Sequence, residues 1–149
     1  MFQADSILCS NSEQQLEDFL EWDFVGAPIN EELLPGFSGF NGGLSLRNRT
    51  LTLSIVEEWD FEEEKEAGGI VFEDQWFFAK MKERRRRGED VYLPSIEEAQ
   101  SFSVETIWVE RPLGYHQVGR WQADKMGEVL KWCPEYALAT KDLIVNHRE

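Results

Sequence analysis

Four positions along the chain carry side chains suited to acid–base chemistry or to binding a metal ion. Asp5 lies at the end of a short opening strand, Glu73 and Asp74 stand together where a helix is predicted to begin, and His116 comes late in the chain. Carboxylate oxygens with one imidazole suit a hard divalent ion such as Mn²⁺ or Mg²⁺. A carboxylate shielded from water by aromatic neighbours becomes more basic and can accept a proton from a reacting group.

A glycine-rich segment, residues 35–43, supplies a second kind of candidate. It ends in Asn41-Gly42-Gly43, and Arg47 follows shortly after. Adjacent glycines allow a substrate to approach the backbone closely because they carry no Cβ atom. Asn41, Gly42, Gly43 and Arg47 are therefore candidate substrate-binding residues.

Each position also has an ordinary structural interpretation. Asp5 can simply start a loop, the two glycines can form a tight turn, and Glu73 and Asp74 can be partners of a helix dipole. A lone histidine such as His116 is more often structural than a ligand. Taken singly, these positions favour the ordinary interpretation, and only their order along the chain adds specificity.

Composition indicates one globular domain. The chain has 149 residues, of which 42% are hydrophobic and 13% aromatic, with six tryptophans and ten phenylalanines to form a core. Its net charge of -14 disfavours nucleic acid as a partner, because phosphates require a basic surface. Cys9 and Cys133 match no metal-binding spacing and are compatible with one disulfide or with two unpaired core thiols.

The chain shows no sign of a membrane span or a targeting segment. No stretch approaches the ~20 apolar residues that a bilayer requires. The residues after Met1 lack the basic start and long apolar core of a signal peptide. The compartment is therefore left open.

Short strands alternating with helices predict an α/β layer architecture. Residues 50–56 fit either a strand or a helix, and the Asn48 cap favours the helix. Residues 2–9 are interpreted as a strand end entering a loop. Helices are predicted over 13–21, 50–59, 73–87, from Ser95 onward and over 123–133; strands over 24–28, 44–46 and 102–108; loops over 35–43 and 60–69; an extended or turn segment over 112–116; and a weak helix or tail over 137–149.

Six segments in order resemble an uncharacterised glycosyltransferase-like family, known only as a domain of unknown function, from residue 2 to about residue 120. They are Phe2-Gln-Ala-Asp-Ser6, Phe24-Val-Gly-Ala-Pro28, Asn41-Gly-Gly-Leu-Ser-Leu-Arg47, Glu73-Asp74, Phe102-Ser-Val-Glu105 and Pro112-Leu-Gly-Tyr-His116. The order of acidic strand end, glycine loop, Glu-Asp helix start and late histidine is similar to that of GT-A glycosyltransferases. The resemblance implies a partial GT-A fold, which is the Rossmann-like fold of nucleotide-diphospho-sugar transferases, with a mixed sheet and flanking helices.

The resemblance also implies roles for the candidate residues. Asp74, with Glu73 beside it, would be the catalytic base, and the Asn41-Gly42-Gly43 loop would lie along donor sugar and acceptor. Asp5 and His116 would hold Mn²⁺ or Mg²⁺ on the donor diphosphate. Gln3 replaces the first carboxylate of the usual metal-binding pair, which weakens the expectation of metal dependence.

The implied activity is transfer of a sugar from a nucleotide-sugar donor to a glycan or small hydroxyl acceptor. In GT-A proteins most of the nucleotide-binding half precedes the acidic strand end. We therefore expect residues 1–149 to form one glycosyltransferase-like domain without that half. A non-catalytic carbohydrate- or protein-binding module is the alternative, and a metal-dependent phosphate hydrolase ranks last. Intact relatives would suit the secretory pathway.

Overall fold

The computed structural model of the protein describes residues 1–139 and has an α/β architecture. Its five strands are β1 (Ser6–Leu8), β2 (Phe24–Pro28), β3 (Phe40–Arg47), β4 (Ser103–Val104) and β5 (Gly114–His116). Its six α-helices are α1 (Arg49–Glu58), α2 (Phe61–Glu66), α3 (Glu73–Arg86), α4 (Ile96–Phe102), α5 (Val118–Trp121) and α6 (Met126–Trp132). Short 3₁₀ helices cover Leu16–Phe19, Ala123–Lys125 and Pro134–Leu138.

The three-stranded sheet is mixed and has the order β1-β5-β4. β5 runs antiparallel to β1 and parallel to β4. His116, the last residue of β5, lies opposite Ser6. This pairing places the late histidine beside the start of the chain, 110 positions away in sequence (116 minus 6).

β2 and β3 form a separate antiparallel pair with a bulge. Gly26 pairs with Ser45 whereas Ala27 pairs with Asn41, so residues 42–44 of β3 have no partner in β2. The opening residues of the chain approach these three instead, because Phe2 bridges Leu44 and the Gln3 amide donates to the Gly43 carbonyl at 2.8 Å. The glycine-rich part of β3 therefore lies between two other segments of chain.

Two apolar clusters hold these layers together. The larger one packs β2 and β3 against α3 and α4, with Phe24, Trp76 and Phe102 among its fully buried side chains. The smaller cluster surrounds Tyr115 and Val129 and consists mostly of residues from the second half of the sequence. Within residues 1–139, no helix is both long enough and apolar enough to cross a bilayer.

The predicted α/β class, mixed sheet and flanking helices are confirmed. The strand over 24–28, the helix following Asn48 and the helix starting at Glu73 also agree with the structure. The helix predicted from Ser95 onward also agrees, and Ser95 forms a capping box with Glu98 at its start. The Asn48 side chain accepts a hydrogen bond from the Leu51 amide, as an N-cap should.

Several predicted boundaries are wrong. The loop over 35–43 is in fact strand from Phe40 onward, and the loop over 60–69 contains α2, which Asp60 caps. The helix over 13–21 is only a 3₁₀ turn, because Leu20 is exposed and Phe19 alone is buried there. The strand over 102–108 shortens to β4, and the segment over 112–116 contains β5.

Of three further predictions, one agrees with the structure in part, one is wrong, and one lies mostly outside the described residues. The helix over 123–133 divides into a 3₁₀ turn followed by α6. Asp5 lies in a turn between the Phe2 bridge and β1, and not at a strand end. Most of the segment predicted as a weak helix or tail over 137–149 lies outside the described residues.

Cys9 and Cys133 form a disulfide with a Cα–Cα distance of 4.9 Å. Both half-cystines are buried in the smaller apolar cluster. Of the two alternatives that the sequence left open, the disulfide is therefore correct and the pair of free thiols is wrong.

Candidate functional site

The predicted site residues gather around one cleft of about 300 Å³, here called the polar cleft. Five of them line its wall: Asn41, Gly43, Glu73, Asp74 and His116. The other three, Asp5, Gly42 and Arg47, do not line the cleft but contact residues that do. Neighbouring parts of the wall come from Gln3, Ile29, Leu34, Phe37, Phe72, Gln75, Glu105, Gln117, Arg120 and Trp121.

Asp74 is a buried carboxylate in the first turn of α3. Its Oδ2 accepts a hydrogen bond from the Gly42 amide at 2.8 Å, and its Oδ1 accepts one from the Gln75 amide at 2.7 Å. Burial raises the pKa of the Asp74 carboxyl above its ordinary value, and the negative charge of Glu73 adds to the increase. The two amide donors and Arg47 oppose the increase without cancelling it. Asp74 is thus a stronger proton acceptor than an exposed aspartate.

Glu73 is held by an ion pair with Arg47. The Arg47 guanidinium lies 3.0 Å from Glu73 Oε1 and stacks between the rings of Phe24 and Phe77, at 4.8 and 5.2 Å from their centroids. Its side chain is only 9% exposed. Arg47 therefore does not line the cleft itself, and it influences the cleft by positioning Glu73.

The Gly42-Gly43 backbone, here called the floor, connects the Asp74 end of the cleft to the His116 end. Gly43 lines the cleft, whereas Gly42 packs against Arg47 and Asp74 outside the lining. A Cβ atom on Gly42 would lie 2.3 Å from the Arg47 guanidinium, and one on Gly43 would lie 2.2 Å from His116 Nε2. Real Cβ atoms do not approach other atoms so closely. Neither glycine has a positive φ, so backbone conformation does not require glycine at these positions. Close packing does.

His116 is buried among oxygen atoms on both sides of its ring. Nε2 lies 3.2 Å from Gln3 Oε1 and 3.5 Å from Asp5 Oδ1, whereas Nδ1 lies 3.7 Å from Glu105 Oε1. Nδ1 has no hydrogen-bond partner among the described residues. In either neutral tautomer, one ring lone pair faces an acceptor oxygen, which is unfavourable in a buried site.

A divalent cation bound at Nε2 is one arrangement that would remove this conflict. The cation would be attracted both to the Nε2 lone pair and to the two oxygen atoms that face it. The Nδ1–H group would then be directed at Glu105, and metal-bound histidines usually donate to a carboxylate in this way. Within residues 1–139 no group of three His, Cys, Asp or Glu side chains is placed to hold a metal ion. Asp5 and His116 supply two such donors, and the amide oxygen of Gln3 supplies a third. The donor set fits a hard divalent cation.

Asp5 is oriented by a residue that sequence reasoning missed. Gln117 donates from its side chain to Asp5 Oδ2 at 2.7 Å and from its backbone to the Asp5 carbonyl at 3.2 Å. Gln117 has φ 46°, a conformation uncommon outside glycine. Its place directly after His116 was the available signal.

Glu105 was also missed as a site residue, although it ends one of the six segments of the resemblance. It is 5% exposed and faces the His116 ring. The available signal was a carboxylate within the largely apolar segment 102–108. A charged side chain that becomes buried with such a segment needs a partner.

Replacing Gly43 by alanine is expected to destabilise the protein by about 1–3 kcal/mol, since the new methyl group must displace the buried His116 ring. Urea unfolding measures the change. Gly127→Ala is the matched control, because no atom lies within 4 Å of its added methyl group. Equal stability of the Gly43→Ala protein and the wild type would show that the ring does not rest on this glycine.

Comparison with known proteins yields one match. The family described as "Protein of unknown function (DUF5672)" matches residues 1–116, a stretch that contains every candidate site residue. Neither a curated protein nor a solved structure matches the chain. The family match carries no activity with it.

Proposed function

The chain belongs to the family described as Protein of unknown function (DUF5672), and from the geometry of its polar cleft we propose that it acts in glycosyl transfer. A sugar would pass from a nucleotide-sugar donor to the hydroxyl of a glycan or small acceptor. The observation that carries the proposal is the position of Gly42-Gly43 between the Asp74 carboxylate, whose pKa is raised, and the buried His116 ring. The proposal includes a GT-A type arrangement of the sheet.

Asp74 is the proposed general base. The acceptor hydroxyl loses its proton as its oxygen bonds to the anomeric carbon, while the bond from that carbon to the diphosphate breaks. The raised pKa of Asp74 improves it as a proton acceptor. Its hydrogen bonds to the Gly42 and Gln75 amides fix the direction of its oxygens.

Glu73 supports the base in two ways. Its charge contributes to the raised pKa of Asp74, and its ion pair with Arg47 anchors the start of α3 to β3. Its carboxyl side chain remains 42% exposed, so it can also accept hydrogen bonds from substrate hydroxyls. We therefore assign to Glu73 a positioning and binding role beside Asp74.

The opposite end of the cleft suits the diphosphate. Asp5, His116 and Gln3 would hold Mn²⁺ or Mg²⁺, which as a Lewis acid would neutralise charge on the leaving group. Glu105 would keep the His116 ring in the required tautomer. Arg120, also on the cleft wall, adds a positive side chain for phosphate oxygens.

The floor lies between the proposed base and the proposed diphosphate end, where the donor sugar must be. In this proposal the sugar ring lies against Gly43 and reaches Asp74 at one end of the cleft and His116 at the other, and all three residues line the cleft. Asn41 at its edge is held by a hydrogen bond from the Gly43 amide to Oδ1 at 2.7 Å. The Asn41 amide nitrogen then points away from that bond and can donate to a sugar hydroxyl.

Binding of a nucleoside diphosphate with Mn²⁺ tests this proposal. UDP or GDP with Mn²⁺ should raise Tm by several degrees, since a ligand at 100 times its Kd adds about 2.7 kcal/mol. Without Mn²⁺ the shift should shrink. Differential scanning fluorimetry provides the measurement.

Two variants sharpen the result. Asp5→Asn should weaken the Mn²⁺-dependent shift, whereas Asp124→Asn, an exposed carboxylate away from the cleft, should leave it unchanged. A shift with oligosaccharide alone, and none with UDP or GDP, would favour the non-catalytic binding module. Stabilisation that is the same with and without Mn²⁺ would contradict the metal assignment.

A further inference from the structure

A second groove of about 350 Å³ adjoins the polar cleft and is here called the apolar groove. Phe37, Phe72 and Gln75 line both. The groove is therefore a lateral extension of the cleft, and a molecule lying in it can reach the Asp74 end.

The apolar groove runs along one face of α3. Gln75, Phe78, Lys82 and Arg86 follow at intervals of three or four residues, which places them in a row on the helix. At 1.5 Å per residue, the distance from Gln75 to Lys82 is about 10 Å. The opposite side carries Phe37 and exposed residues of the 70–72 segment.

Aromatic rings form the walls. The Phe37 and Phe72 rings lie 5.6 Å apart, and Phe72 is 54% exposed. The neighbouring Val71 is 59% exposed. Exposed apolar side chains next to a polar cleft favour a ligand whose body is itself apolar.

Gln75 provides a polar signal within this apolar surface. The residue is 7% exposed, and its Oε1 accepts a hydrogen bond from the Ser38 amide at 2.8 Å. That bond assigns the oxygen and directs Nε2 the other way, where it has no partner among the described residues. Gln75 thus places a buried donor without an acceptor, a costly arrangement, where the groove and the cleft meet.

The far end of the groove is positive. Lys82 makes no ion pair with any residue in 1–139, although the chain carries 29 acidic residues. Its ammonium lies 5.4 Å above the Phe78 ring, and Arg86 lines the same groove. Lys82 therefore offers an exposed ammonium to an anionic group, whereas Arg86 is already paired with Glu83 at 2.7 Å.

We propose that the apolar groove is an acceptor subsite for a small acidic amphiphile. This acceptor has a hydroxyl oxygen at Gln75, near Asp74, an aryl or alkyl body between Phe72 and Phe78, and an anionic group about 10 Å away at Lys82. The assignment of this molecule as acceptor rests on the proposed function. Its binding does not require a donor.

Calorimetric titration with para-hydroxyphenylbutanoate tests the subsite, because this molecule carries a hydroxyl, an aryl body and a carboxylate in that order. At low ionic strength it should bind at least about tenfold more tightly than its neutral methyl ester, as one charge-assisted contact predicts. Phenylbutanoate, which lacks the hydroxyl directed at Gln75, should also bind more weakly.

Lys82→Met should remove the preference for the acid over the ester, because it keeps the apolar stem and deletes the charge. Arg85→Met is the matched control: it changes the same charge on the same helix, outside the groove. Thermal melting verifies that both variants fold. Equal binding of acid and ester by the wild type, or an equal loss in both variants, would overturn the proposal.

Failure of this inference is distinguishable from failure of the proposed function. Lys82-dependent binding of the acid without any sugar transfer would support the subsite and contradict the transferase activity. Transfer to acidic acceptors that is unchanged in Lys82→Met would support the activity and overturn the subsite.

Discussion

Replacing Asp74 by asparagine is expected to lower the rate of sugar transfer by about 10²–10⁴-fold, the usual contribution of a positioned general base. Asparagine has nearly the same shape but cannot accept the acceptor proton. The rate would be measured by release of the nucleoside diphosphate in the presence of donor, acceptor and Mn²⁺. Binding of UDP with Mn²⁺ should change little, since Asp74 lies at the other end of the floor from His116.

Stability separates a catalytic effect from misfolding in this experiment. Asp74→Asn leaves the Gly42 and Gln75 amides with one acceptor oxygen between them but removes a buried charge. The two effects oppose each other, so the free energy of unfolding should change by no more than about 1–2 kcal/mol. Glu73→Gln, the neighbouring carboxylate, should reduce the rate less. Full activity in Asp74→Asn would show that another group accepts the proton.

The pH dependence has a definite sign. Because the folded pKa of Asp74 is raised, the folded protein binds this proton more tightly than the unfolded chain. Between the unfolded and folded pKa values, the contribution of Asp74 to stability therefore falls as pH rises. The transfer rate changes in the opposite direction, since only the ionised carboxylate accepts a proton. Asp74→Asn should abolish this acidic limb of the rate profile.

Removal of the Cys9–Cys133 disulfide is expected to destabilise the protein by about 2–5 kcal/mol. The two cysteines are separated by 124 positions, so the bond restricts almost the whole unfolded chain. A loss of this size is a large share of the roughly 5–15 kcal/mol that stabilises an ordinary domain. Urea unfolding of the wild type with and without a reductant measures it.

The double variant Cys9→Ala, Cys133→Ala supplies the control. It should be as unstable as the reduced wild type, and adding a reductant should have no further effect on it. Near the disulfide, the Asn11 side chain also donates to the Trp132 carbonyl at 2.7 Å, so some attachment between the two ends persists. Identical unfolding of oxidised and reduced wild type would mean that such contacts suffice without the bond.

The elements predicted correctly from sequence are those determined by local contacts. Ser95 and Glu98 form a capping box, and Asn48 caps α1, through hydrogen bonds that span three residues. β2 was predictable because Phe24 and Val25 form an apolar run that ends at a proline. In these cases the residues that decide the conformation lie within one short window of sequence.

The elements missed depend on distant partners. Asn41, Gly42 and Gly43 have low strand propensity, and they lie in β3 because β2 and residues 1–3 flank them. The acidic helix α2 was missed for another reason. Its composition suggested a loop, whereas the Asp60 side chain caps it by accepting from the Glu63 amide.

The site shows the same division. Asp74 at a helix start was visible in the sequence, but the close packing of Gly42 and Gly43 against Arg47 and His116 was not. The ion pair between Arg47 and Glu73 was not visible, because the Arg47 side chain is positioned by the distant Phe24 and Phe77 rings. Glu105 and Gln117 contact His116 and Asp5 only because β4, β5 and the opening turn meet.

The floor of the polar cleft has no free backbone hydrogen-bonding groups. The Gly42 amide bonds Asp74 and its carbonyl accepts from the Ser45 hydroxyl; the Gly43 amide bonds Asn41 and its carbonyl accepts from Gln3 and Ser6. A sugar lying there would gain contact area from the backbone but no directional recognition. Discrimination between epimers, such as glucose and galactose, would then fall entirely on the side chains around the floor. Exchanging those side chains could change the sugar while the main chain beneath it stays as it is.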